Sequence, residues 1–190
     1  MTLEETNGPD SHARADEWLV VRCQLGERPA FDELIQRWHE PLWKYVRRLT
    51  GDDEAANDVV QDVWLRVLRG IGRLRDGSKL RAWLFGIARR ALMDRLREQY
   101  AAPAVGAVDV MDVPANDIPV TLEEDLTTME HELARLPATE REVLTLFYLQ
   151  ELSLGETAEV LEVPIGTVKS RLFRARQLLR RELEAKGRGL

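Results

Sequence analysis

The sequence predicts an all-α protein: two small helical domains joined by a flexible acidic linker. Apolar residues step by three and four along most of the 190 residues, and no strand-like alternation reaches useful length. The periodicity stops between Ala101 and Val120, where Pro103, Pro114 and Pro119 fall. The expected boundaries are a disordered N-terminus over 1–16, a first domain over 17–100, a linker over 101–125 and a second domain over 126–186.

The first strong helical stripe runs through Phe31, Leu34, Ile35, Trp38, Leu42, Tyr45, Val46 and Leu49, with Pro41 expected to kink or interrupt it. Thr50-Gly51 ends that helix. Asp52 and Asp53 start the next with negative charge at its N-terminus. In that helix Ala56, Val59, Val60, Val63, Trp64 and Val67 form the inward face. Gly70, Gly72 and Gly77 punctuate a basic loop from Arg69 to Lys79. A third helix follows, its buried stripe made of Leu80, Trp83, Leu84, Ile87, Ala91 and Leu92. Helices resume near Leu122 and break at Leu136-Pro137.

The C-terminal part is the most informative. Ser153 and Glu156 make a capping box, in which two orphan helix donors are satisfied reciprocally. Ala158 and Leu161 give the helix an apolar side, and Glu162-Val163-Pro164 breaks it. Ile165, Val168, Leu172 and Ala175 then repeat at helical spacing, leaving Lys169, Arg171, Arg174 and Arg176 mostly on the solvated side. A cationic helix held by a shorter one meets the physical requirement for reading a DNA major groove. The pattern favours a DNA-binding helix-turn-helix over a helical hairpin with an ordinary basic face.

Net charge is −6, but it is segregated. Residues 98–134 contain no lysine or arginine, while Lys169, Arg171, Arg174, Arg176, Arg180, Arg181, Lys186 and Arg188 crowd the C-terminus. Such segregation implies separate surfaces for separate partners. The single cysteine, Cys23, excludes an internal disulfide and reads as a small buried apolar residue. His12, His39 and His131 are too scattered for a metal site, and no nucleophile–base pairing is visible, so neither a cofactor nor an enzyme activity is expected. No apolar run approaches the roughly 18 residues of a membrane span, and the N-terminus is polar rather than signal-like; a soluble, cytoplasmic chain without membrane insertion is expected.

Two features lie outside the helix-turn-helix. Asp58, Gln61, Asp62 and Arg66 line one polar side of their helix, either a solvated surface or a docking face. The loop Arg69-Gly-Ile-Gly-Arg-Leu-Arg-Asp-Gly-Ser-Lys79 is followed by Arg81, Arg89, Arg90, Arg95 and Arg97. Small residues let backbone approach a ligand, and arginines supply phosphate contacts and stacking planes. Trp83 is read as core rather than as a stacking platform, because it sits on the buried stripe.

Three segments now stand in order: Asp58-Val-Val-Gln-Asp-Val-Trp-Leu-Arg-Val67, Leu80-Arg-Ala-Trp-Leu-Phe-Gly-Ile-Ala-Arg89 with Asp94-Arg-Leu-Arg97, and Pro164-Ile-Gly-Thr-Val-Lys-Ser-Arg-Leu-Phe-Arg-Ala-Arg176. In this order and spacing they resemble the signature segments of the extracytoplasmic-function (ECF) sigma factors, a subfamily of bacterial sigma-70 factors. The resemblance covers roughly residues 17–184. It implies a transcription initiation factor with a region 2 bundle and a region 4 helix-turn-helix.

Under that resemblance Asp58, Gln61, Asp62 and Arg66 bind the clamp helices of the large subunit of core RNA polymerase. The melted −10 element falls to Arg73, Arg75, Asp76, Gly77, Ser78, Lys79, Arg81, Arg89, Arg90 and Arg97. Duplex −35 DNA falls to Gly166, Thr167, Lys169, Ser170, Arg171, Arg174 and Arg176. The acidic linker threads the polymerase core. Two residues depart from the family pattern: Arg90 replaces a frequent asparagine, and Glu162 fills a turn position often held by glycine. With no sensor domain visible, regulation is expected from a separate protein, an anti-sigma factor being the candidate. The competing class, a dimeric operator-binding regulator, explains the C-terminal block but neither the Asp58–Gln61–Asp62 face nor the basic loop.

Overall fold

The computed structural model describes residues 9–100 and 132–185, all in helices and the turns between them. The first domain consists of α1 (Pro9–Gln24), α2 (Arg28–Thr50), α3 (Asp53–Gly70) and α4 (Leu80–Tyr100). Single 3-10 turns at Ile71–Arg73 and Gly77–Lys79 connect α3 to α4. The second contains α5 (Ala138–Leu144), a π-helical turn at Thr145–Leu149, α6 (Leu154–Leu161) and α7 (Ile165–Ala185). The expected linker lies outside the described residues.

Helix α2 forms as the stripe predicts, burying Ala30, Leu34, Trp38, Leu42, Tyr45 and Val46. It continues through Pro41 rather than breaking there. At its end Gly51 takes a left-handed conformation (φ 74°) and its N–H caps the Arg47 carbonyl at 2.9 Å. Asp52 then opens α3, its carboxylate accepting from the Ala55 N–H at 2.8 Å.

The N-terminus differs from expectation. Residues 9–16, read as disordered, belong to α1. Leu19, Val20 and Cys23 pin this helix into the core, and Asp16 is buried in an ion pair with Arg37 at 2.9 Å. The polar composition of the first turns concealed a helix whose apolar anchors lie nearer its end.

Helix α4 is buried on more than its predicted stripe. Residues 84–88 are buried without a break, so the helix is covered on all sides there. Helices α2 and α3 pack on it from its own domain, and α6 packs on it from the other. Phe85 stands edge-on to Trp38 (centroids 6.4 Å apart) and Tyr45 (5.4 Å), at the centre of the first core. Trp83 is half-buried and packs against the core, as its place on the stripe implied.

In the second domain the capping box is complete: the Glu156 N–H donates to Ser153 Oγ at 3.2 Å, and the Ser153 N–H donates to Glu156 Oε2 at 2.8 Å. Ser153→Ala is expected to cost about 1 kcal/mol, read as a lower urea midpoint. Glu162 ends α6 with φ 56°, the left-handed conformation that glycine adopts freely, at a cost of about 1 kcal/mol. Val168, Leu172 and Ala175 then seat α7 on the core.

Candidate nucleic-acid and partner interfaces

The recognition-type helix divides cleanly. Val168, Leu172 and Ala175 are at most 1% exposed, while Gly166, Lys169, Ser170, Phe173, Arg174 and Arg176 face solvent. Thr167 is half-buried, and its carbonyl accepts from Ser170 Oγ at 2.9 Å. Arg174 reaches back to the buried Glu140 at 3.2 Å yet stays 71% exposed. Arg176 stacks over the Tyr148 ring at 6.0 Å.

Two residues here escaped the sequence reading. Arg171, expected to face outward with Arg174, is half-buried, and its charge acts on Glu142. Phe173 was overlooked, although it is 62% exposed in the middle of the basic face. Its spacing from Lys169 and Ser170, four and three residues, was the available signal.

On α3 the polar face is an ion-paired lattice. Asp58 meets Arg95 at 2.9 Å; Arg66 holds Asp62 and Asp94, each at 2.8 Å; Arg97 meets Asp94 at 3.2 Å. Gln61 is exposed, and Leu65 and Leu68 (46% and 50% exposed) extend the same helix toward its C-terminus. Arg66 therefore braces Asp62 against α4 as well as lining the face.

The loop between α3 and α4 is built by Asp76, which accepts from the Ser78 N–H at 3.0 Å and from the Ser78 hydroxyl at 2.6 Å. The Ser78 hydroxyl, and then its N–H, hold the Asp76 carboxyl below its ordinary range. Gly77 lies against α1: a Cβ there would come 2.7 Å from Glu17 Cα, so only glycine permits this approach. Gln24 ties the loop down from α1, its Nε2 donating to the carbonyls of Ile71 (3.0 Å) and Leu74 (2.8 Å). Arg73 and Arg75 stay exposed.

Four other cations of this group, Lys79, Arg81, Arg89 and Arg90, face the second domain, whereas Arg97 pairs within α4. Lys79 meets Glu159 at 2.8 Å, Arg90 meets Glu162 at 3.5 Å, and Arg89 meets Glu142 at 3.2 Å. Arg81 donates to the Gln150 carbonyl and lies 4.0 Å from Glu151. Tyr45 donates its hydroxyl to Glu142 at 2.8 Å in a fully buried bond. Burial pushes the Glu142 carboxyl up, opposed by the Arg89 charge, by the Tyr45 and Arg89 hydrogen bonds and by Arg171. Burial, then the Glu142 charge, drives the Tyr45 phenol well above its usual range.

A four-helix domain bearing an ion-paired polar face and a basic loop, followed by a helix-turn-helix, has the architecture of a DNA-binding protein. Residues 34–101 match the sigma-70 region 2 family, and residues 127–179 match sigma-70 region 4. The chain is 36% identical over 172 residues to the ECF RNA polymerase sigma factor SigM of Mycobacterium tuberculosis, covering 90% of this chain and 86% of that protein. It is 30% identical over 177 residues to SigW of Bacillus subtilis, covering 86% and 94% respectively. CnrH, solved in complex with the cytosolic domain of CnrY, aligns with a TM-score of 0.67 at 25% identity, over 90% of this chain and 98% of CnrH. RpoE of Bartonella quintana, solved with the anti-sigma factor NepR, aligns with a TM-score of 0.64 at 25% identity, over 81% and 96%.

The chain belongs to the ECF sigma factors of the sigma-70 family. It binds core RNA polymerase and directs promoter-specific transcription initiation. The family is non-catalytic. No described helix is long and apolar enough to cross a membrane.

Proposed function

We propose that region 2 docks on the polymerase clamp helices through Asp58, Gln61, Asp62 and Arg66, with Leu65 and Leu68 adding apolar contact. The loop at Arg73, Arg75, Asp76, Gly77 and Ser78 receives an unstacked base of the melted −10 element, and Lys79, Arg81, Arg89, Arg90 and Arg97 follow its phosphates. Region 4 enters the −35 major groove with α7, where Gly166 and Thr167 place the helix N-terminus near a phosphate. Lys169, Ser170, Phe173, Arg174 and Arg176 point into the groove, and Arg171 steadies the helix from behind. The exposed ring of Phe173 suits a thymine methyl. The protein acts in the cytoplasm, where the polymerase is. An anti-sigma factor is its expected inhibitor, since the solved relative RpoE is held by one.

The observation that carries this reading is the α7 stripe, with charged, hydroxyl and aromatic side chains exposed on one side and Val168, Leu172 and Ala175 locked on the other. The test separates base reading from phosphate binding. With polymerase holoenzyme, Arg174→Ala is expected to flatten preference at one or two −35 positions, worth about 1–3 kcal/mol of discrimination. Lys169→Ala is expected to keep specificity and lower the salt slope by about one unit. Equal loss of transcription from every −35 variant would instead make Arg174 a phosphate clamp.

A further inference from the structure

The segment proposed to receive the unstacked −10 base is not shaped by apolar burial. Ile71 and Leu80 are buried, but no residue between them is, and only Leu74 and Gly77 are half-buried. Its path is imposed near those two points, in both cases from α1. Gln24 Nε2 donates to the Leu74 carbonyl at 2.8 Å and to the Ile71 carbonyl at 3.0 Å. The Ile71 carbonyl also accepts from the Leu74 N–H at 3.1 Å, so Gln24 grips the first 3-10 turn at its closing bond. Gly77, in the second turn, rests on the α1 backbone at Glu17, an approach that a Cβ would block.

Glu17 and Gln24 are seven residues apart, so they share one face of α1 and stand about 10 Å apart along it. The helix is itself anchored. Leu19, Val20 and Cys23 are buried, Asp16 pairs with Arg37, and Arg22 pairs with Glu33 at 2.7 Å, both partners lying on α2. The loop is thus clasped near each end by a fixed helix, while Arg73 and Arg75 stay exposed between the clasps.

We infer that Gln24 is a positioning residue for −10 base selection, acting through the loop and not on DNA. Its two donated bonds fix the path from Ile71 to Leu74, and the Gly77 contact fixes the far end. The pocket therefore has its shape before a base arrives. A pocket held to shape rewards the base whose edge its groups meet, whereas a slack one adapts to several. Phosphate contacts carry no base information and need no such definition. Loss of the clasp costs selectivity more than affinity. The inference rests on the −10 assignment above.

The test uses holoenzyme reconstituted from the full chain and core polymerase. It transcribes one pool of promoters with randomised −35 and −10 elements, and sequencing the transcripts gives the base preference at each position. Gln24→Met keeps the side-chain length and removes both donors, while Gln24→Lys keeps donors with the reach for both carbonyls. Met, Lys and Gln have nearly equal helix propensity, so α1 is preserved in each. Gln24→Met is expected to lower the best-to-worst base ratio at one or two −10 positions about three- to tenfold, the scale of one net hydrogen bond. Preferences at −35 and affinity for core polymerase are expected to stay at the wild-type level. Gln24→Lys is expected to restore the −10 ratio, which a charge that merely attracted DNA would not do, because it favours every promoter alike. Gly77→Ala, which must part the loop from α1, is expected to lower the ratio at the same positions.

Unchanged −10 ratios in Gln24→Met overturn the positioning role. An equal fall at −35 also overturns it, since Gln24 would then serve general stability. A loss that Gln24→Lys shares in full removes the donated bonds as its cause. The −10 assignment fails separately: Arg73→Ala with Arg75→Ala would then leave every −10 ratio at its wild-type value.

Discussion

Phe85→Ala is expected to destabilise region 2 by about 3–5 kcal/mol, a large part of the stability of a small domain. Phe85 is fully buried, and its ring meets those of Trp38 and Tyr45 edge-on at 83° and 85°. Truncation removes both aromatic contacts and leaves a cavity that the helical backbones on either side cannot close. Tyr45 also loses the ring that fixes its orientation toward Glu142. Urea unfolding followed by circular dichroism measures the loss. A shift below about 1.5 kcal/mol would mean that the core repacks around the hole and that Phe85 is not its keystone.

Asp62→Arg is expected to abolish binding to core polymerase while leaving the fold nearly intact. Asp62 is partly exposed and pairs with Arg66, a surface contact worth about 0–1 kcal/mol to folding. Reversal sets two cations four residues apart, frees Arg66 to swing toward Asp94 alone, and presents the wrong sign to the partner. A reversed charge in a polar interface costs about 2–5 kcal/mol, or roughly thirtyfold to several thousandfold in affinity. A core-binding titration beside a helicity measurement checks both halves. Unchanged affinity with helicity preserved would remove this face from the docking surface.

What was legible in the sequence follows from how local each signal is. The capping box at Ser153, the turn at Glu162 and the seating of Val168, Leu172 and Ala175 depend on neighbours within a few residues, and the helix-turn-helix was readable from them. The Asp52 cap and the Gly51 terminator are equally local. Phe85 and Ala88 fell outside the predicted stripe because helices from more than one side, one of them from the other domain, cover α4. Arg171 is half-buried because it flanks the seated stripe, three residues after Val168 and four before Ala175. The first turns of α1 were missed because their composition is polar, and the helix is held by residues beyond them. At the candidate sites the residue types were readable. Their pairing across the two domains was not, because an ion pair between segments 50 to 80 residues apart leaves no periodic trace.

Helix α4 forms a wall of both domains, and this has a consequence for how the protein melts. Where two modules each own a complete core they unfold independently, in separate transitions. Here part of each core is supplied across a common helix, so losing either module strips cover from the other. With this packing the chain is expected to melt in a single cooperative transition despite its two family domains, which calorimetry would show as one peak.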